Sequence, residues 1–169
     1  MTTLEPRTDV RPCAARYVIA SDPITETGPH SLAQAVQASV RTVDEHALRP
    51  VAQREAGLAF QPKTLLALLS YCYARQIYGS AHIEDDMARD AKFRQLCHDE
   101  FPDAAVLRRF RRENREPVRL CLTAALGFLA EQKVEAGVVT KVSPAHLAEE
   151  ATRRITMSMF IDSMELDEN

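Results

Sequence analysis

The sequence predicts an all-α protein, a compact multi-helix domain preceded by an irregular arm, and three observations carry that prediction. Apolar residues recur at helical spacing in segment after segment, glycine is scarce at five of 169 residues, and aromatics make up only 6% with no tryptophan. A sandwich or barrel of short strands needs a richer supply of aromatic and turn residues than this. At 46% hydrophobic and 27% charged the chain can bury a core, and its length suits one domain with an extension.

Residues 1–30 hold four of the nine prolines, Pro6, Pro12, Pro23 and Pro29. They deny the segment continuous helix and leave room for a short extended piece at Tyr17 to Ala20. Helices begin at Ser31, which with Gln34 fits a capping box, and Leu32, Val36, Val40, Val43 and Ala47 set a helix over about 32–48 that Pro50 stops. A loop containing Gly57 leads to Pro62. The run Leu65, Leu66, Leu68, Leu69, Cys72, Tyr73 and Ile77 is apolar around much of its circumference, the mark of a central core helix that Gly79 ends. Tyr71, Tyr73 and Tyr78 read there as packing residues. Ser80 and Asp90 each have a side-chain oxygen suited to capping a short helix, to about Arg89 and Cys97.

Phe101-Pro102-Asp103 then breaks the chain, and Asp103 caps a helix from Ala104 to about Asn114. Pro117 fits the first turn of a separate helix running to Gly137, with Leu120, Cys121, Ala124, Ala125, Phe128 and Leu129 inward. Ser143-Pro144 opens a last helix to about Phe160 that turns Leu147, Ala151, Ile155 and Met159 inward, before a tail bearing Asp162, Glu165, Asp167 and Glu168. The organisation is therefore an arm (1–30), a helical domain (31–137) and a C-terminal helix with an acidic tail (138–169).

Net charge is −3, from 24 acids against 21 bases, so a global basic coat is excluded and any nucleic-acid contact rests on a local patch. One such patch stands out. Residues 108–115 carry five arginines and one glutamate, +4 in eight residues. On the helix starting at Ala104, the spacing sets Val106, Leu107 and Phe110 on one side and Arg108, Arg111 and Arg112 on the other. Following two short helices and a tight corner, this suits the second helix of a helix-turn-helix-like element, with guanidinium groups on phosphates and guanine edges. A solvated face paired with Glu84, Asp85, Asp86 and Asp90 is the plainer alternative.

Other chemistry is poorly supplied. The acidic cluster Glu84-Asp85-Asp86 with Asp90 has neither the glycine turn nor the terminal glutamate of a calcium loop. The five histidines are scattered, the adjacent pair Cys97-His98 lacks a second ligand pair, and neither a nucleophile elbow nor a phosphate-binding glycine loop occurs. No catalytic residue, metal or cofactor is predicted. Cys13, Cys72, Cys97 and Cys121 lie far apart and read as reduced thiols, which with no apolar leader places the expectation in the cytoplasm, without membrane contact.

Four ordered blocks resemble a known family. They are Phe60-Gln61-Pro62-Lys63 with Leu65 to Tyr71; Ile77-Tyr78-Gly79-Ser80 with Ile83-Glu84; Arg89-Asp90 with Phe93-Arg94-Gln95-Leu96; and Pro102-Asp103 with Leu107 to Arg111. Together they resemble the N-terminal domain of bacterial insertion-sequence transposases of the DDE type, over about residues 32–137. The resemblance implies a helical domain that binds the ends of the element as double-stranded DNA, ahead of a nuclease domain. It also marks a departure. A strand bearing the first catalytic aspartate would follow, and Asp162 in Phe160-Ile161-Asp162-Ser163 is the one candidate for its remnant, whereas phosphodiester transfer needs several carboxylates for two metal ions.

The expectation is thus a transposase-derived DNA-binding protein without the catalytic domain and without enzyme activity of its own. Arg108, Arg111 and Arg112 are its principal contacts, Arg109 and Arg115 flank them on phosphates, and Lys63 and Arg94 contribute less. Leu65, Leu69, Ile83, Phe93, Leu107 and Phe110 are its predicted core. Besides DNA, a homodimer and a separate catalytic transposase chain are the partners left open. The alternative is a protein-interaction or dimerisation module that keeps the helical core and does not bind DNA.

Overall fold

The computed structural model describes residues 31–52 and 59–167, apart from the side chain of Lys92. The arm with Tyr17 to Ala20 and Cys13, the loop at Gly57, and Glu168 lie outside the described residues. Within them the chain forms seven α-helices: α1 (Leu32–Thr42), α2 (Pro62–Ala74), α3 (Ser80–Arg89), α4 (Ala91–Leu96), α5 (Ala104–Glu113), α6 (Arg115–Glu135) and α7 (Pro144–Asp167). A single 3-10 turn spans Glu45–Ala47, and the only extended pairing described is one antiparallel bridge between Ala52 and Ala59.

Three helix starts follow the capping chemistry, those of α1, α5 and α7. Ser31 accepts from Gln34 N at 3.2 Å, Asp103 from Val106 N at 2.8 Å, and Ser143 from His146 N at 3.2 Å, each satisfying a first-turn N–H that has no partner within its own helix. At α3 the cap position is Gly79, and Ser80 is already helical. The Ser80 N–H and hydroxyl both donate to Asp162, each at 2.7 Å, so a carboxylate from α7 does the capping that the sequence assigned to Ser80. A negative charge at a helix N-terminus is favoured by the helix dipole as well as by the hydrogen bond.

Helix α2 is the centre. Thr64 to Ser70, Cys72, Tyr73 and Ala74 are all buried, because α1, α4, α5, α6 and α7 each pack against it. The predicted core residues Leu65, Leu69, Ile83, Phe93, Leu107 and Phe110 are all buried there. Tyr71 meets the Phe93 ring edge-on at 5.8 Å between centroids, with the Arg75 guanidinium over both rings. The thiols of Cys72, Cys97 and Cys121 are free and buried, and burial with the nearby Glu100 charge pushes Cys97 up to about 12.

Several elements differ from the sequence reading. Helix α2 ends at Ala74 with Arg75 at its C-cap, so Ile77 and Tyr78 lie beyond it, in the turn that leads to α3. Helix α1 ends at Thr42, where Val43 turns extended and Asp44 starts the 3-10 turn by accepting from His46 N at 3.0 Å. On α6 the inward face is Val118, Cys121, Leu122, Ala125 and Leu126, while Leu120 and Ala124 are exposed. Helix α7 continues to Asp167, so Phe160-Ile161-Asp162-Ser163 is helix and not a strand. Its inward line runs Ala151, Ile155, Ser158, Asp162, and Met159 points to solvent. The spacing-four pattern fails there because the buried positions after Ile155 are polar.

Helix α7 packs along α6 and also ties down the corner between α2 and α3. Its Arg154 donates to the Tyr73 and Ala74 carbonyls at 2.9 and 2.8 Å, satisfying the C-terminal end of α2, and to Glu150 at 2.7 Å. Glu150 also takes a bidentate pair from Arg153. The bonds from Arg153, then Arg154, hold the Glu150 carboxyl down to about 2, against 4.5 ordinarily. A group depressed in the fold adds stability above its ordinary value and loses it as pH falls to the folded one. Stability should therefore fall between pH 4.5 and 2, and Glu150→Gln should flatten that limb; urea midpoints at several pH values would show it.

Candidate nucleic-acid interface

The arginine-rich helix α5 is set by four anchors. Its N-terminus is capped by Asp103 and again by Glu84, whose Oε2 accepts from Ala104 N at 2.8 Å. Its apolar side, Val106, Leu107 and Phe110, is buried. At its end Asn114 is buried: the side chain accepts from Arg49 N at 2.7 Å and donates to the Arg49 and Phe110 carbonyls. The chain turns at Asn114 and α6 begins at Arg115, with Pro117 in its first turn as the sequence predicted.

The arginines of this segment divide. Arg112 and Arg115 are exposed and Arg108 is half-buried, and none of the three has a carboxylate within ion-pair distance among the described residues. Arg109 pairs with Glu113 one turn on, at 2.9 Å. Arg111 turns inward. Its guanidinium lies 2.6 Å from the Asp162 carboxylate and donates to the Tyr73 hydroxyl at 3.1 Å, with the side chain only 6% exposed and that of Asp162 3%. In this conformation Arg111 is not available to a phosphate, which corrects its placement among the principal contacts. The reason is angular: Arg111 follows Leu107 by four residues, so it sits nearer the apolar side of the helix than the outer arginines do.

Burial works against the Arg111 charge, but Tyr73 and Asp162 outweigh it and hold the guanidinium above its ordinary value. The Tyr73 phenol is in turn pushed up by burial, with Arg111 pulling the other way. Arg111, Asp162, Tyr73 and Ser80 thus form one buried polar network joining α5, α7, α2 and α3. Asp162 therefore serves structure, with both oxygens occupied.

The acidic residues nearby do not clamp the outer arginines. Glu84 caps α5, and Asp86 faces His82 at 3.4 Å on its own helix. Among the described residues no group of three or more metal-ligating side chains converges. The two weaker candidates lie elsewhere. Lys63 stands in the first turn of α2, in a cleft of about 620 Å³ also lined by Arg41, His98 and Glu100, and Arg94 is half-buried on α4. Arg49, which the sequence reading passed over, is exposed beside the α5–α6 corner because Asn114 holds its backbone. A lone arginine before a proline carries no local signal, and only the long-range Asn114 contact reveals it.

Residues 31–113 match a family model described as a transposase domain (DUF772). The chain carries a transposase-related domain. The match begins at the cap of α1 and ends with the last residue of α5, so the arginine helix closes the transposase-related domain, while α6 and α7 lie beyond the matched residues. No curated protein and no solved structure matches the chain. No helix among the described residues is long and apolar enough to cross a membrane.

Proposed function

We propose that the transposase-related domain binds double-stranded DNA through the outer face of α5 and the start of α6, with no strand cleavage or joining by residues 31–167 alone. One observation carries this reading: Arg108, Arg112 and Arg115 reach solvent without a carboxylate partner among the described residues, on a helix fixed by two caps and a buried side. Free guanidinium groups on a rigid helix are suited to phosphates and to guanine edges. Helices α4 and α5 with residues 97–103 between them form the helix-turn-helix-like unit, with a connection longer than the usual three or four residues. Arg109 and Arg49 stand at the rim, and Lys63 and Arg94 serve as outlying phosphate contacts. Asp162, committed to Arg111 and Ser80, leaves the described residues without a carboxylate cluster for two metal ions.

Fluorescence anisotropy with a random-sequence duplex across a salt series tests the proposal. Binding should weaken linearly on a log–log plot, with a slope of about −0.9 for each phosphate neutralised, so roughly −3 for the three outer arginines. A flat anisotropy at low salt would remove the reading and leave the protein-interaction module, whose support is the exposed apolar side of α7.

A further inference from the structure

Half of the large hydrophobic side chains exposed on the described surface lie near the end of one helix. On α7, Met157, Met159, Phe160, Met164 and Leu166 are 42 to 59% exposed, while Phe101, Leu120, Val134, Val138 and Val139 are spread elsewhere. The helix already has a packed side through Ala151, Ile155, Ser158 and Asp162, so these residues are not surplus from an unfolded end. Three of them fall on a single ridge whose ends are charged. Arg153, Met157, Phe160, Met164 and Asp167 follow one another at steps of four, three, four and three, the 3.5-residue period that keeps one seam of a helix facing a partner helix. Arg153 and Asp167 stand seven residues either side of Phe160, two helical turns each way, about 10 Å.

We infer that this ridge is the contact surface for a second copy of the chain, with the two α7 helices antiparallel and crossing at Phe160. Such a pairing is isologous: the same ridge serves both partners about a two-fold axis. Phe160 meets Phe160, the methionines fill the flanking space as adaptable apolar groups, and each Arg153 faces the Asp167 of the other copy. The charge pattern selects this orientation. A parallel pair would set Arg153 against Arg153 and Asp167 against Asp167, and like charges at flanking positions oppose association. Arg153 now holds Glu150 from an exposed position, so it can reach a second carboxylate without leaving the surface. The inference is independent of DNA binding.

Sedimentation velocity over a protein concentration series, without DNA, is the test. The wild-type chain should pass from monomer to dimer. Phe160→Glu should weaken association roughly thirty-fold or more, as expected for removing a central anchor, with the circular dichroism spectrum unchanged, and the thermal midpoint unchanged at concentrations where both proteins are monomeric, because the side chain is exposed in the monomer. Arg153→Glu and Asp167→Arg should each weaken the dimer, and the double variant should restore it, since exchanging both charges rebuilds the antiparallel pairs. A monomer at every concentration overturns the proposal, as does a dimer indifferent to Phe160→Glu. A dimer to which neither single charge change nor the double variant makes a difference overturns the antiparallel arrangement.

Discussion

Asp162→Ala should lower the stability of the domain by about 3–5 kcal/mol, because it leaves the Arg111 guanidinium buried without a counter-charge. Removing the carboxylate also uncaps α3, where the Ser80 N–H and hydroxyl lose their acceptor. Arg111→Ala should cost a similar amount for the converse reason, stranding Asp162. The pair is one unit, so the two losses should not add: Arg111→Ala with Asp162→Ala removes both charges together and should cost less than the two single losses summed. Urea unfolding followed by circular dichroism supplies the four stabilities of the cycle. If Asp162→Ala falls within about 0.5 kcal/mol of wild type, as a surface substitution would, the network does not hold α7 to the domain.

That network marks the limit of what a linear reading reaches. The caps at Ser31, Asp103 and Ser143 and the core of α2 follow from neighbours within four residues, and so they are legible. The break at Asn114 follows from Pro117 in the same way. Arg111 looks like its neighbours in sequence, and only the approach of Asp162 from 51 positions away decides that it turns inward. The same contact explains the two errors at α7. Ser158 and Asp162 are polar, so the inward stripe is invisible as hydrophobic periodicity, whereas Met159 and Phe160 advertise a buried face that the fold leaves in solvent. Glycine at position 79 has a similar origin. A Cβ there would stand 2.6 Å from Glu165 Oε1, the end of a side chain from α7 that would have to swing aside, so glycine lets the α2–α3 corner and Glu165 share this space.

The division of the arginines yields the second large effect. Arg108→Gln with Arg112→Gln and Arg115→Gln should remove most duplex affinity at low salt and take about 3 from the magnitude of the log–log salt slope, one for each lost phosphate contact, while the thermal midpoint stays near wild type. Arg111→Gln should do the opposite: its first effect is on unfolding, through the loss of charge beside Asp162, and any loss of affinity should track the fraction unfolded. Measuring both quantities for both variants separates a charge that meets DNA from a charge that builds the helix presenting it. The three outer arginines can be neutralised with little structural loss because Arg112 and Arg115 are exposed, Arg108 is only half-buried, and an arginine without a carboxylate partner contributes little to the fold. If the triple variant keeps its affinity while Arg111→Gln loses it with the fold intact, then α5 contacts DNA only after α7 has released Arg111, and the outward-facing trio is a solvated surface.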